Sequence, residues 1–308
     1  MGASGVAISA IGLGCNNFGH IPYEDSCAVL RKALNLGITF FDTANTYAAG
    51  GSEETLGRFL ASERKRVLIA TKFGHPSTAV EGAQRASRGL VTAALESSLR
   101  RLRSEWIDLY MIHFPDPLTP IEETVRALED LRHSGKIRHV GVSNFNPLQL
   151  REIATAAAAL PMGCVACSQN EFNLLSRGIE AELLPELQRL GIGLQAYFPL
   201  AGGLLTGKYV GRAPDASALR SRVVRNFTDR FFSPRNLTAT DRLSAYARSQ
   251  GHSLTELALS WLYHHPAVAG LLVGATSPEQ LQQNVGAVAW RLTVAQRDEI
   301  DRLLPPAA

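Results

Sequence analysis

The chain has 308 residues, of which 45% are hydrophobic and 19% charged, with a formal net charge of +3. That composition supplies ample core material and lacks the clustered basic excess of a nucleic-acid-binding face. No stretch approaches the roughly 20 apolar residues that span a bilayer. The first residues also lack a basic region followed by an apolar core, so a cytoplasmic chain without membrane segment or secretory signal is expected.

Short apolar runs alternate with helical patterns from end to end. The expected strands are 11–13, 39–42, 67–71, 107–112, 139–142, 165–170, 193–196 and 270–273. Helix starts are marked between them. Thr119-Pro120-Ile121-Glu122 reads as a capping box with proline at the first helical position, and Ser253 with Glu256 as another. Ser277-Pro278 and Thr293 with Gln296 open the last two helices. Eight strand-helix units predict α/β architecture as a single-domain (β/α)8 TIM barrel over 1–308.

One stretch breaks this rhythm. About forty residues after the seventh strand, ending near a helix expected from Asp241, carry Lys208, Arg212, Arg220, Arg222, Arg225, Arg230 and Arg235 against Asp215 and Asp229. A loop of this length is either a solvated surface segment or a flap over an anionic ligand. The four cysteines include one C-x-x-C, Cys164 and Cys167. It lacks a second pair at zinc spacing, which favours buried free thiols.

Asp42, Lys72 and His113 each fall at or just past an expected strand end, with Tyr47 five residues after Asp42. In a parallel barrel the carboxyl ends of the strands carry the active site. A tyrosine with an ordinary pKa near 10 is a weak acid, and a neighbouring ammonium would lower that value. A carboxylate would hold the ammonium, and an imidazole could orient a carbonyl oxygen. Singly, each residue has an ordinary structural role: turn cap, surface aromatic, solvated cation or core histidine. Together they point to protonation of a carbonyl oxygen.

With these residues, the chain resembles the aldo-keto reductases along essentially its whole length. The resemblance rests on residues 12–15 (Gly-Leu-Gly-Cys), 41–47 (Phe-Asp-Thr-Ala-Asn-Thr-Tyr), 108–113 (Asp-Leu-Tyr-Met-Ile-His) and 141–145 (Gly-Val-Ser-Asn-Phe). It extends through 169–171 (Gln-Asn-Glu), 198–208 and 274–280, running on to Asn284. It implies that Tyr47 is a general acid, Lys72 lowers its pKa, Asp42 pairs with Lys72, and His113 bonds the substrate carbonyl. It also implies a bound NADPH/NADP+, with NADH possible, held without a dinucleotide-binding domain of the G-x-G-x-x-G kind.

By that resemblance Cys15, Asn16 and Asp42 border the cofactor, Ser143, Asn144 and Gln169 take its carboxamide, and Tyr197 stacks on the nicotinamide. Phe198, Pro199, Leu200, Ala201, Gly202 and Lys208 follow the pyrophosphate. Gly274, Thr276, Gln280, Gln283 and Asn284 take the adenosine end. Gly274 and Gln280 stand where relatives often place a lysine and an arginine, so Thr276 with Arg220 or Arg222 is expected to meet the 2′-phosphate. The substrate pocket is expected from Asn16, Asn17, Phe18, Phe73, His75 and Phe114, for a small-molecule carbonyl compound. Only the second half of the family's N-terminal hairpin is expected.

The function implied is NADP(H)-dependent reduction of an aldehyde or ketone to an alcohol. The alternatives are an NAD(P)-dependent aldose or alcohol dehydrogenase and a redox-sensing subunit like the potassium-channel β subunits. The latter share stretches such as 122–127 and 47–50 but carry asparagine where this chain has His113. Oligomeric state is left open.

Overall fold

A computed structural model describes residues 1–78, 82–210 and 230–304. Eight parallel strands close into a barrel in chain order: β1 (Ile11–Gly14), β2 (Phe40–Asp42), β3 (Leu68–Phe73), β4 (Ile107–Ile112), β5 (Ile137–Ser143), β6 (Cys167–Glu171), β7 (Gly193–Tyr197) and β8 (Val268–Val273). β8 pairs with β1 through Ile11 and Leu271, which removes both sheet edges. The fold is the expected (β/α)8 barrel.

Side chains alternate across each strand, and this sorts the apolar residues into two cores. Phe40, Ala70, Leu109, Met111, Cys167 and Leu272 pack inside the barrel. Their strand neighbours Phe41, Ile69, Tyr110, Ile112 and Leu271 pack outward under the helices. Continuing the inward set one step towards the carboxyl ends gives Asp42, Lys72, His113, Ser143, Gln169 and Tyr197. An apolar floor therefore lies beneath a polar layer.

The helices are α1 (Tyr23–Asn35), α2 (Gly51–Phe59), α3 (Arg88–Leu102), α4 (Ile121–His133), α5 (Pro147–Ala158) and α6 (Leu183–Leu190). After β7 come α7 (Pro234–Ser249), α8 (Leu254–Tyr263), α9 (Pro278–Gly286) and α10 (Val294–Leu303). Ser253 and Thr293 form the expected capping boxes, and Ser277 caps α9 ahead of Pro278. Asn146 with Gln149 makes a further box at α5.

Several expectations are corrected. Thr119 does not cap α4: its hydroxyl donates to Asp116 Oδ2 at 2.6 Å, and Pro120 takes the cap position. α7 begins at Pro234 behind a Ser233 cap, seven residues before Asp241. In place of a half-hairpin, Gly2–Ser4 forms a 3₁₀ turn tied by the Ala3 amide to the Gly191 carbonyl at 2.7 Å. Cys164 is exposed while Cys167 lies inside the barrel, so the C-x-x-C thiols do not share one environment. None of the described helices is long and apolar enough to cross a membrane.

Candidate active site

The polar layer brings the four residues singled out by position into one cluster. Lys72, 1% exposed, donates to Asp42 Oδ2 at 2.7 Å, to the Thr43 carbonyl at 2.8 Å and to the Tyr47 hydroxyl at 3.4 Å. An ammonium has three donors, and all three have partners here. Burial opposes the charge on Lys72, but Asp42 and Tyr47 outweigh it and hold its pKa above the ordinary value. Sequence reasoning missed Thr43, because it contributes through its backbone.

Tyr47 departs from expectation in one respect. Burial raises its pKa, Lys72 pulls it down, Asp42 pushes it up again, and the outcome lies above the ordinary value of 10 rather than below it. Desolvation disfavours a phenolate more than one ammonium at 3.4 Å favours it. Tyr47 is therefore a protonated phenol at neutral pH, the form that donates.

His113 is 7% exposed, and its Nδ1 is buried without a hydrogen-bond partner among the described residues. Burial, Lys72 and His75 together push its pKa down to about 2, so the imidazole is neutral. Its ring lies edge-on to Tyr47 at 6.0 Å between centroids and is flanked by His75 and Phe114 at 4.8 and 5.2 Å. Nδ1 has almost no accessible surface, so an incoming carbonyl compound would have to meet the ring through its other nitrogen, Nε2.

Tyr47 opens a tight turn, Tyr47–Gly50, in which Ala48 and Ala49 both have left-handed φ values of 49° and 54°. Such conformations cost on the order of 1 kcal/mol or more each outside glycine. The turn feeds directly into α2, whose buried Glu53 anchors it. Glu53 accepts from Thr71 Oγ1 at 2.5 Å and from Arg101 Nε at 2.7 Å, which locks α2 to β3 and α3.

The other side of the layer has the donors and acceptors a carboxamide needs. Gln169 donates to Asp42 Oδ1 at 2.8 Å and to Gln195 Oε1 at 3.1 Å, which leaves its carbonyl oxygen as the remaining polar end. Asn144 is held at a φ of 63°. Its Nδ2 donates to the His113 carbonyl and to Ser143 Oγ, both at 3.0 Å, and its Oδ1 accepts from Tyr197 at 2.7 Å. Ser143 keeps its own hydroxyl proton to give. One hydroxyl donor and one carbonyl acceptor fit a primary amide. The half-buried Tyr197 ring stands beside them at the end of β7, with burial pushing its pKa up to about 12.

Beyond Tyr197 the backbone turns left-handed at Phe198, Ala201, Gly202 and Gly203, with φ of 52°, 47°, 64° and 94°. Within this turn the Ala201 amide donates to the Phe198 carbonyl and the Gly203 amide to the Leu200 carbonyl, both at 2.9 Å. Lys208 Nζ lies 3.4 Å from the position a Cβ on Gly203 would take. Ala201 and Pro199 are buried and Pro199 has no N–H to donate, while Phe198 and Leu200 pack partly on the core.

At the start of α9, Gln280 Oε1 accepts from the Thr276 amide and hydroxyl, both at 2.9 Å, and Ser277 Oγ accepts from the Gln280 amide at 3.3 Å. Asn284 is buried and donates to the Gly274 carbonyl at 3.3 Å, while Gln283 is exposed. Side chains at the helix start thus occupy the Thr276 and Gln280 amides, and Glu279 adds a carboxylate in the first turn. Arg220 and Arg222 lie outside the described residues.

Three expected contacts belong to the core instead. Phe18 is fully buried, and Phe73 faces outward and stacks on Tyr110 at 4.8 Å. It neighbours the inward Lys72 on β3, so alternation sends it to the other face. Cys15 is buried with Sγ on the Leu13 carbonyl at 3.4 Å, and burial with the nearby Asp42 carboxylate pushes its thiol pKa up. Asn16 is exposed, and Asn17 donates to the Ala275 carbonyl at 2.9 Å.

Comparison with known proteins agrees with the barrel fold. The aldo/keto reductase family profile matches residues 10–305. An L-glyceraldehyde 3-phosphate reductase of Escherichia coli (strain K12) is 37% identical over 298 positions, covering 93% of this chain and 86% of that protein. The aldo-keto reductase YhdN of Bacillus subtilis (strain 168) is 33% identical, covering 98% and 91%. A putative voltage-gated potassium channel subunit beta of Schizosaccharomyces pombe is also 33% identical, covering 99% and 92%. With the closed barrel, the strand-end cluster and a match over nearly its whole length, the chain belongs to the aldo/keto reductase family and is an oxidoreductase.

Proposed function

We propose that this enzyme reduces an aldehyde or ketone to an alcohol, with Tyr47 as general acid and NADPH preferred over NADH. The observation that carries this reading is the contact of Lys72 with Tyr47, Asp42 and Thr43, with the His113 ring edge-on to Tyr47 at 6.0 Å between centroids. A bound nicotinamide dinucleotide would supply the hydride. Ser143 and Gln169 would hold its carboxamide, Tyr197 its ring, and the turn at 198–203 with Lys208 its pyrophosphate.

Tyr47 gives its proton to the carbonyl oxygen as negative charge develops there, and Lys72 stabilises the phenolate left behind. Asp42 keeps the ammonium in place, and neutral His113 donates a ring N–H to the same oxygen and orients it. The raised pKa of Tyr47 favours reduction, because the reverse reaction starts from the phenolate. An imidazole at position 113 favours an enzyme over a redox-sensing subunit.

The 2′-phosphate preference is supported by the basic excess of 208–235 and opposed by the occupied amides and Glu279 at α9, which favour NADH. For the substrate, Arg85 stands close enough to His75 to add to burial in lowering that imidazole's pKa, which suits an anionic group at the mouth. A phosphorylated short aldehyde, as in the name of the Escherichia coli relative, therefore joins simple aldehydes, ketones and aldoses as a test compound.

The test is to titrate NADPH and NADH by fluorescence quenching at one salt concentration, and to measure initial rates with each carbonyl compound. The expected result is carbonyl reduction with NADPH bound about ten- to a hundredfold more tightly, the ratio of one charge-assisted contact. Tighter NADH binding contradicts the cofactor preference, and no reduction of any carbonyl contradicts the reading.

A further inference from the structure

Gln195 is a polar residue where the barrel interior is apolar. It points inward from the middle of β7, in register with Gln169 and Gly270, beside a floor of Met111, Cys167 and Leu272. At 1% exposed, its amide carries a desolvation cost unless it is hydrogen-bonded. Among the described residues its Nε2 meets only the Met1 thioether at 3.0 Å, a weak acceptor, and its one strong bond is Oε1 to Gln169 Nε2 at 3.1 Å.

The direction of that chain of amides follows from Asp42. Its carboxylate is paired with Lys72 and can only accept, so the end of Gln169 at Oδ1 must be the NH2. The second hydrogen of that NH2 then needs an acceptor, and Gln195 Oε1 at 3.1 Å supplies a far stronger one than the Met111 thioether at 3.8 Å. With Asp42 and that weak thioether alone, the Gln169 amide could swing and offer an N–H upward as well as its oxygen.

We propose that Gln195 is a positioning residue. By accepting the second N–H of Gln169 it holds that amide with only its carbonyl oxygen towards the nicotinamide site, so that the cofactor's carboxamide is received through its NH2. This rests on the cofactor placement proposed above.

The test compares NADP⁺ with its acetylpyridine analogue, which keeps the carbonyl of the carboxamide and lacks its NH2. Dissociation constants for both are measured on the wild type and on Gln195→Leu. Wild type is expected to prefer NADP⁺ by about three- to tenfold, the worth of one neutral hydrogen bond. In Gln195→Leu the freed amide can donate to the acetyl oxygen, and the preference is expected to fall below about twofold. A packing role alone would weaken both ligands by one factor and leave the ratio unchanged, which would overturn the proposal. A wild type without the preference overturns it equally, and a wild type that binds neither ligand overturns the cofactor placement with it. If the leucine variant fails to fold, Gln195→Met, nearly equal in volume and far poorer as an acceptor, is read in the same way.

Discussion

Tyr47 owes its character to two opposed effects at one oxygen. Burial alone would make the phenol too weak an acid, and Lys72 at 3.4 Å offsets part of that without reversing it. Each hydrogen-bond donor of Lys72 is engaged, so the ammonium cannot swing away when the phenol loses its proton. A consequence is a pH dependence of defined sign. The reduction needs protonated Tyr47, whose pKa lies above 10, so its turnover should be flat across neutral pH and fall only as pH rises past about 10. The reverse oxidation needs the phenolate and should rise over the same range. His113, with a pKa of about 2, contributes no inflection between pH 5 and 9. A reduction rate falling with a midpoint near pH 7 would contradict this assignment of the acid.

At the scale of elements, the Tyr47 turn depends on how α2 is held. α2 crosses α3 at Gly57, where a Cβ would lie 2.4 Å from the Arg101 carbonyl oxygen and 2.5 Å from the Leu102 carbonyl carbon. Both obstacles are backbone, so neither can turn aside as a side-chain tip would. The approach in turn brings Arg101 to Glu53, and Glu53 to Thr71 beside Lys72. Gly57→Ala should therefore lower stability by about 1–3 kcal/mol, the usual cost of overpacking, despite alanine's better helix propensity. Equilibrium denaturation of the two proteins measures this, and an unchanged midpoint would show that α2 and α3 separate freely.

At the scale of the molecule, the barrel was legible because eight short apolar runs alternate with helical patterns along the chain. The ends of those runs singled out Asp42, Lys72 and His113, while Ser143 and Gln169 came from the family resemblance. In the barrel all five share the parity of the interior. The same parity, applied to Phe73, would have sent it outward with Thr71, and overlooking it produced the mistaken pocket residue. Other features were not legible for physical reasons. The sign of the Tyr47 shift depends on how much protein surrounds its oxygen, a three-dimensional quantity. Thr43 acts through a carbonyl, which every residue has. The bond of Gln195 joins strands whose register no local pattern specifies, and Thr119 was drawn from its helix by an aspartate three residues earlier.

The central claim is that a buried phenol supported by Lys72 delivers the proton, and Tyr47→Phe tests it most directly because the ring remains and only the hydroxyl is lost. Turnover at saturating carbonyl substrate and the dissociation constant of the dinucleotide are measured together. The account predicts at least a roughly 100-fold loss of turnover, the scale of general acid catalysis, with cofactor affinity little changed. A variant retaining more than about a tenth of wild-type turnover would remove Tyr47 from the chemistry and contradict the account.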